Sequence, residues 1–378
     1  MQLGIVLDAY DAGAVQLEGI DTIEEKGLIM QEEDDEPPIL READGVTWIG
    51  ATQYYATANE GDLDGGSRGW SIFDSSSGAV VYDSGSEMEW MTAMAGHYPD
   101  NRSGNKGNEP ENVFYSAFPD FGMEYVFVLS ERSSVIFVYS IDSSVSPPVP
   151  EFVQMLAVGI APEGITAIPS QNLIAVASEK DERGDKFRSS IAVFELGESE
   201  TGIPEYPTLV SAPRDGESGA PIPFAALSGL AAGDGLLYTV EDSFYKKNRI
   251  MTIDPSTTPP TMIAEHRMMD SDGVLADCLS AYDFVDMAAR INDDGTINID
   301  PEGISMSSNG GFWVVSEGRG TAGDEKRPLE HPNLLLELDS EAKIIQCITP
   351  DDSFQPQLRF GFEGVAEDGE KVVVAVQR

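Results

Sequence analysis

The chain has 378 residues and carries 66 acidic against 23 basic side chains, a formal net charge of −43 at pH 7. A surface this negative repels phosphate backbones and anionic lipid headgroups, so the composition argues against nucleic-acid binding and against docking on a membrane surface. Hydrophobic residues make up 41% of the chain, which is enough for a folded core despite the charge.

A short motif, in most copies an acidic residue followed by glycine, recurs along the chain. Each copy opens an alternating apolar and polar segment, passes a polar turn and continues into a second apolar strand. In chain order the copies begin at Leu17–Ile20, Asp44–Val46, Glu111–Val113, Pro162–Ile165, Ser228–Leu230, Pro301–Ile304 and Phe362–Val365. Third strands follow several copies, as at Val135–Tyr139 and Leu334–Leu338. Alternation with period two and turns rich in Gly, Asp and Asn predict antiparallel β-sheet throughout.

Seven copies in this length average about 54 residues each, the size of a four-stranded blade with its loops. We therefore predict an all-β fold, a β-propeller with seven blades that forms a single domain over residues 1–378. The acids of the first two copies, Glu18 and Asp44, are only 26 residues apart, which leaves a fold with six blades possible. A pair of β-sandwiches is the alternative architecture. The proline pairs Pro147-Pro148 and Pro259-Pro260 are interpreted as turns between blades.

Further patterns concern the chain's surroundings and its cysteines. No run approaches 18 apolar residues, and the first residues lack the basic and long apolar regions of a leader, so we expect neither a membrane span nor a signal peptide within this chain. An acidic, lysine-poor surface suits saline or secreted settings, which favours an extracellular, periplasmic or otherwise exported location. Cys278 and Cys347 match no metal or redox spacing, so one disulfide and two buried thiols both stay open.

The repeated acids predict a metal site. The innermost strand of each propeller blade lines the central channel, so equivalent positions form a ring at one mouth of that channel. Crowded carboxylates raise one another's pKa unless a cation neutralises them, and donor sets made only of oxygen select Ca²⁺ or Mg²⁺. We predict a calcium site, with Mg²⁺ less favoured; a solvated acidic funnel without metal is the alternative. The predicted ligands are Glu18, Glu111, Glu163, Glu302 and Glu363, with Asp44 acidic and Ser228 uncharged at the two other ring positions.

A second set of acids ends the neighbouring strand and is expected near the same mouth. Its members are Glu32, Glu60, Glu131, Glu179, Glu241 and Glu317. Among the scarce cations, Arg132 and Arg319 follow such strand ends, and arginine beside a cation is what binding of a phosphate ester requires. We predict that these two arginines steady transition-state charge; the alternative is that they only pair with surplus acids. No nucleophile elbow, Walker loop or dinucleotide fingerprint is present.

Two stretches of the second half resemble the esterase-like phytase domain family, a group of phytase-like propellers. They are Asp300–Glu317 and Arg359–Val365. The first half is similar to choice-of-anchor propellers of secreted proteins, through Thr57–Asp62, Ser130–Arg132 and Ala161–Gly164.

The resemblance implies an exported, metal-dependent phosphoester hydrolase with Glu163, Glu302 and Glu363 as ligands. Three functions stay open. The first is a Ca²⁺-dependent phosphatase or phytase that acts on a small phosphorylated substrate, which requires basic residues converging on the metal. The second is a lactonase or esterase with a single cation, which requires a drier apolar pocket. The third is a non-catalytic, calcium-stabilised scaffold or subunit that binds a protein partner through its blade edges.

Overall fold

The computed structural model describes residues 12–15, 39–60, 67–182, 184, 187–197, 206–214, 221–321, 323–350, 361–369 and 371–377. These residues form mainly antiparallel strands with a few short helices, which confirms the all-β prediction. The chain divides into two compact units, residues 1–209 with 216–223 and residues 210–215 with 224–378. That it forms a single domain stays a prediction. Across the described ranges, no helix is long and apolar enough to cross a membrane.

Among its described residues, the first unit contains four sheets of consecutive strands. A short pair, β1 (Ala14–Val15) and β2 (Ile39–Leu40), precedes the others. The next sheet has β3 (Ala43–Trp48), β4 (Tyr54–Asn59), β5 (Trp70–Asp74) and β6 (Val80–Asp83), followed by helix α1 (Glu87–Met94) and a 3₁₀ turn (Asp100–Arg102). Then come β7 (Pro110–Phe118), β8 (Met123–Ser130), β9 (Val135–Ser140) and β10 (Glu151–Ala157). A three-stranded sheet has β11 (Pro162–Ile168), β12 (Leu173–Ser178) and β13 (Ser190–Glu195), with a 3₁₀ turn at Pro169–Gln171.

The described part of the second unit contains three sheets. In the first, β14 (Val210–Ser211) lies parallel to β18 at the end of a meander of β15 (Leu227–Gly233), β16 (Leu236–Glu241), β17 (Arg249–Asp254) and β18 (Thr261–Arg267). Helices α2 (Val274–Leu279) and α3 (Met287–Arg290) follow. The second sheet has β19 (Pro301–Met306), β20 (Phe312–Ser316), β21 (Leu334–Leu338) and β22 (Ile344–Ile348). The third pairs β23 (Phe362–Glu367) with β24 (Val372–Val376).

The first strands of successive sheets lie side by side within each unit. Strands β3, β7 and β11 are neighbours in the first unit, and β15, β19 and β23 are neighbours in the second. Antiparallel meanders joined in this way are the blades of a β-propeller, which confirms the predicted fold class. Six of the seven repeat copies begin these six strands. The first copy, Leu17–Ile20, lies outside the described residues, and the number of blades stays a prediction.

The core lies between the faces of neighbouring sheets. In the first unit Trp70, Val128 and Phe137 belong to one buried cluster, and in the second Val314 and Leu336 belong to another. Strands β8 and β9 are buried along almost their whole length, which explains why they read as continuous apolar runs rather than as alternating ones. Each large apolar side chain buried in this way contributes roughly 1.5–3 kcal/mol.

The proline pairs do not separate blades. Pro147 lies in the turn from β9 to β10 and Pro259 in the turn from β17 to β18, so both connect the third and fourth strands of one sheet. The prediction of turns between blades was therefore wrong. Each turn begins with an aspartate, Asp142 or Asp254, whose Oδ1 accepts hydrogen bonds from the N–H and the hydroxyl of the serine two residues later. This local bonding closes the turn.

Cys278 of α2 and Cys347 of β22 form a disulfide, with their Cα atoms 6.1 Å apart. The bond attaches a helix to the outermost strand of the second sheet in the second unit. The disulfide alternative is therefore the one that the structure supports.

Candidate functional site

Four of the repeated acids in the described residues lie at a one-residue β-bulge. Between β11 and β12 the register passes from the Pro162–Ser178 pair to the Gly164–Ala177 pair, so Glu163 is an extra residue without a partner in the ladder. A bulge re-aims its side chain and bends the strand. The same one-residue shift occurs at Glu111, Glu302 and Glu363.

The glycine after the acid allows neighbouring first strands to approach closely. A Cβ on Gly303, which follows Glu302, would lie 2.8 Å from the carbonyl oxygen of Glu363 on the next strand. Where the repeat has Asn112 in place of glycine, its Nδ2 donates to the carbonyl oxygen of Glu163 at 2.9 Å. The backbones of neighbouring first strands thus approach closely at Gly303, and this brings the bulged acids of adjacent strands together.

In the first unit three acids form a cluster, Glu111, Glu131 and Glu163. One carboxylate oxygen from each lies within 4.8 Å of the others. Burial, reinforced by Glu60 and Glu163, raises the pKa of Glu111 to about 8. Burial and Glu109 raise the pKa of Glu131 to about 7 against the opposing charge of Arg132. Oε2 of Glu111 is buried and has no hydrogen-bond partner among the described residues.

The predicted phosphate ligand Arg132 lies beside this first cluster but is held by two carboxylates. Its guanidinium bonds to the fully buried Glu109 and lies 2.5 Å from Glu131. Arg102 at 3.2 Å and Lys106 at 2.9 Å also contact Glu109. The geometry thus gives Arg132 the salt-bridge role that was the alternative for it, while its catalytic role stays a prediction.

In the second unit another three acids form a cluster, Asp242, Asp300 and Glu302, again with oxygens within 4.8 Å of one another. Burial, Asp242 and Asp300 raise the pKa of Glu302 to about 7, although a hydrogen bond from Ser228 at 3.1 Å opposes the shift. Burial and Asp300 raise the pKa of Asp242. Glu363 raises the pKa of both Asp242 and Glu302, so two predicted ligands, Glu302 and Glu363, act on one site.

Arg290 and His331 lie close enough to Asp300 of the second cluster for its charge to act on their pKa values. Burial and Arg290 lower the pKa of His331 to about 4, with Asp300 opposing and Arg319 adding to the effect, so this imidazole is neutral at pH 7. The backbone N–H of Arg319 donates to the carbonyl oxygen of His331 at 3.0 Å. The side chain of Arg319 is 71% exposed and pairs with Glu330 at 3.2 Å. The predicted Arg319 therefore faces solvent beside His331, an imidazole whose pKa also depends on Asp300 of the cluster.

The sequence reasoning missed Asp242 and Asp300. It selected Glu241, but that side chain is buried against Arg249 at 2.8 Å, and the next residue reaches the cluster instead. Asp300 lies two residues before the bulged Glu302, where its carbonyl accepts from the N–H that follows β20. Extending each strand end by one residue would have found Asp242. Glu18 and Glu32 lie outside the described residues.

Both clusters fit a hard divalent cation. Their donors are all carboxylate oxygens, and two ligands of one Ca²⁺ at 2.3–2.6 Å are at most about 5 Å apart, as the oxygens here are. The pKa values of Glu111 and Glu302 are raised by burial and by the carboxylates close to them. A bound cation would favour the charged forms of these groups and so oppose both effects. Each unit thus contains, among its described residues, an arrangement suited to Ca²⁺. That all the acids share one ring stays a prediction.

We expect the metal-free protein to lose stability as the pH rises from about 5 to about 8. Glu111, Glu131 and Glu302 hold their protons more tightly in the folded protein than in the unfolded chain, where the pKa is near 4.5, so releasing these protons costs folding free energy. Urea unfolding at three pH values in chelator, at constant ionic strength, measures the slope. Calcium should flatten it, because the ion takes the place of the protons.

The matched control is the double variant Glu111→Gln with Glu302→Gln, whose chelated form should show a smaller slope than the wild type. A free energy of unfolding that stays constant or rises over this pH window in the chelated wild type would contradict the prediction.

The fold and these clusters define a β-propeller in which carboxylates suited to a divalent cation lie where the first strands of its sheets begin. Two family models match the sequence: the phytase-like family, described as esterase-like activity of phytase, over residues 222–378, and the choice-of-anchor I domain over residues 63–144. Both resemblances noted in the sequence are thereby confirmed. The phytase-like segment contains Asp242, Asp300 and Glu302, and its match supports a propeller of hydrolase type.

Solved structures show more distant similarity. Hydrazine synthase from Kuenenia stuttgartiensis is 12% identical over 87% of this chain and 72% of its own, with a TM-score of 0.27. The periplasmic gluconolactonase PpgL of Pseudomonas aeruginosa is 10% identical over 82% and 71%, with a TM-score of 0.26. Sqt1 from Chaetomium thermophilum is 11% identical over 96% and 69%, with a TM-score of 0.28. Such TM-scores carry no argument about function. None of the curated proteins compared with the chain matches it.

Proposed function

We propose that the protein is a calcium-dependent phosphoester hydrolase whose site is the cluster of Asp242, Asp300 and Glu302. The observation that carries the proposal is the convergence of these three carboxylates inside the segment that matches the phytase-like family. Arg319 lies beside His331, whose pKa depends on both Arg319 and Asp300. Oxygen donors for a hard cation beside an arginine are suited to a phosphate ester, because the ester's anionic oxygens need both kinds of partner. A small phosphorylated molecule is the proposed substrate.

The acids of the site would have different roles, according to their charge and exposure. Asp300 and Glu302 would hold the ion, with Glu363 adding negative charge nearby. Bound there, Ca²⁺ would supply Lewis acidity toward a phosphoryl oxygen. Asp242 is exposed, and its pKa is raised toward neutral pH, which suits a proton acceptor. It would take a proton from the water that attacks phosphorus and return it to the alcohol as the ester P–O bond breaks.

Arg319 would bind the phosphate oxygens. Its present partner Glu330 is 54% exposed, and an exposed pair of this kind is worth about 0–1 kcal/mol, so a substrate can displace it at little cost. A guanidinium can contact two phosphate oxygens at once, which fixes the orientation of the ester.

Two substitutions test the proposal with p-nitrophenyl phosphate and phytate. Glu302→Gln removes one ligand charge and should lower the calcium-dependent rise in Tm and the hydrolysis rate together. Arg319→Ala should leave the effect of calcium on Tm nearly intact. It should lower kcat/KM by an amount equivalent to about 2–4 kcal/mol of transition-state stabilisation, the cost of one lost transition-state donor. Arg188→Ala, at an exposed pair with Asp181, is the matched control. Absence of hydrolysis at every calcium concentration, or activity that survives both substitutions, would refute the proposal.

A structural calcium site is the second candidate, and the first cluster favours it. Arg132 there is held by Glu109 and Glu131, and the buried Oε2 of Glu111 has no hydrogen-bond partner in the described part of the chain. Glu111→Gln should then reduce the calcium-dependent rise in Tm and leave any phosphatase activity unchanged. If this loss occurs in a protein without hydrolase activity, the non-catalytic, calcium-stabilised scaffold is the better description.

We further propose that the protein works in an oxidising, exported compartment. The Cys278–Cys347 disulfide supports this location, because such bonds persist outside the reducing cytosol. Localisation of a tagged full-length protein in its own cell, by fractionation, tests it.

A further inference from the structure

Arg290, at the end of α3, is a half-buried cation that forms no ion pair with a described carboxylate. Its Nε is buried and has no hydrogen-bond partner among the described residues. The guanidinium donates one long hydrogen bond, of 3.4 Å, to the carbonyl oxygen of Asn298. The other N–H donors of this side chain are therefore left for another group.

A cation without an ion pair is unexpected in so acidic a protein. Asp and Glu number 66 against 23 Lys and Arg, so carboxylate partners are plentiful. Arg249 is paired with two carboxylates, and even the exposed Arg188 has Asp181 at 3.0 Å. Leaving a buried donor unpaired costs free energy, and a bound anion would offset that cost at Arg290.

A short hairpin places Arg290 opposite Asn298. Ile291 pairs with Ile297, and the N–H of Asn298 donates to the carbonyl oxygen of Arg290 at 2.8 Å. Directly opposed residues of an antiparallel pair lie on the same face. Because Asp300 follows Asn298 by two residues, the hairpin brings Arg290 beside the second acidic cluster.

On its other side, Asn298 lies opposite Arg319. The ladder of β19 and β20 pairs Pro301 with Ser316, and continuing this register opposes residues 298 and 319. The N–H that follows β20 donates to the carbonyl oxygen of Asp300 at 2.9 Å, which keeps the register. Neighbouring strands are about 5 Å apart, so the backbones of the two arginines, one on each side of Asn298, are roughly 10 Å apart. Two side chains as long as arginine can reach one small anion across that distance.

The charges in this region act on one another as the backbone pairing implies. Burial lowers the pKa of Arg290; Glu330 opposes the effect, and Arg319 adds to it. Burial and then Arg290 lower the pKa of His331, and Arg319 acts in the same direction. An anion between the two guanidiniums would remove their mutual repulsion.

We propose that Arg290 is a second phosphate-binding residue of the site, and that its guanidinium and that of Arg319 bind one phosphate group between them. The inference rests on the proposed function and extends it to the charge of the substrate. A phosphate monoester carries two negative charges on three terminal oxygens, which two guanidiniums and a divalent cation can share. A diester has one charge and fewer terminal oxygens, so the site should prefer monoesters.

The probe is phenylphosphonate, an analogue of a phosphate monoester that cannot be hydrolysed, and calorimetric titration in calcium at mildly alkaline pH measures its affinity. We expect Arg290→Gln to bind it at least about tenfold more weakly than the wild type. Arg290→Lys keeps the charge without the planar fork and should lie between the two. The monomethyl ester of phenylphosphonate has a single charge, so it should bind weakly and lose little from Arg290→Gln. Arg188→Gln, at an exposed pair, is the matched control.

Thermal unfolding separates this role from a structural one. Since Arg290 forms no ion pair with a described carboxylate, Arg290→Gln should not lower the Tm. A fall in Tm, with equal losses of affinity for phenylphosphonate and its monomethyl ester, would mean that Arg290 supports the fold and does not bind phosphate.

Two other results would overturn the inference and tell its failure from that of the proposed function. Unchanged affinity in Arg290→Gln, with weaker binding in Arg319→Ala, would remove Arg290 from the site and leave the proposed function standing. A wild-type protein that binds no phenylphosphonate at any calcium concentration would overturn both.

Discussion

Replacing Arg249 by methionine is expected to lower the free energy of unfolding by about 3–5 kcal/mol, the usual cost of removing one partner from a buried ion pair. The Arg249 side chain is 1% exposed, lies 2.8 Å from the buried Glu241 and also bonds to Glu265. Without the guanidinium, Glu241 is left buried and uncompensated. Urea unfolding monitored by tryptophan fluorescence measures the loss.

The control for this prediction is Arg188→Met, the same change at an exposed pair. Arg188 lies 3.0 Å from Asp181, and both side chains are largely open to water, so we expect a loss of about 0–1 kcal/mol. Similar losses for the two variants would mean that Arg249 does not neutralise Glu241 in the folded protein.

Removing the disulfide should cost about 4 kcal/mol, because a bond between residues 69 positions apart restricts the unfolded chain. The double variant Cys278→Ser with Cys347→Ser tests this by unfolding under oxidising conditions. Wild-type protein treated with dithiothreitol should match the variant, while the variant itself should not respond to the reductant. Two free thiols titrated in unreduced, denatured wild-type protein would contradict the prediction.

Acids at equivalent positions of the repeat have different partners in the two units. Glu131 directly follows the second strand of its sheet and Glu241 ends the second strand of another, yet Glu131 joins a cluster suited to a cation and Glu241 is neutralised by Arg249. In the second case Asp242 supplies the carboxylate to the cluster instead. Calcium affinity should therefore depend on the acids of the clusters and not on every acid at the repeat position. We expect Glu241 to contribute to stability rather than to calcium affinity.

The local pattern of the sequence was sufficient for the fold class and for the start of six inner strands. Alternation with period two and glycine-rich turns act within a few residues, so they can be recognised without knowing which strands pair. The third strands at 135–139 and 334–338 were predicted for the same reason and correspond to β9 and β21. The family resemblances rested on equally local motifs, and the matches over residues 63–144 and 222–378 confirm them.

Which side chains meet was decided only by the tertiary structure. A bulge shifts the register by one residue at Glu302, and that shift, together with the pairing of neighbouring first strands, brings Asp242 and Asp300 to the same point. Arg132 looked like a free cation in the sequence, but a buried glutamate 23 positions earlier, Glu109, binds it. Composition and spacing determine how many charges a strand end carries. The partners of those charges depend on contacts between residues far apart in the chain, and only the packing of the sheets creates these contacts.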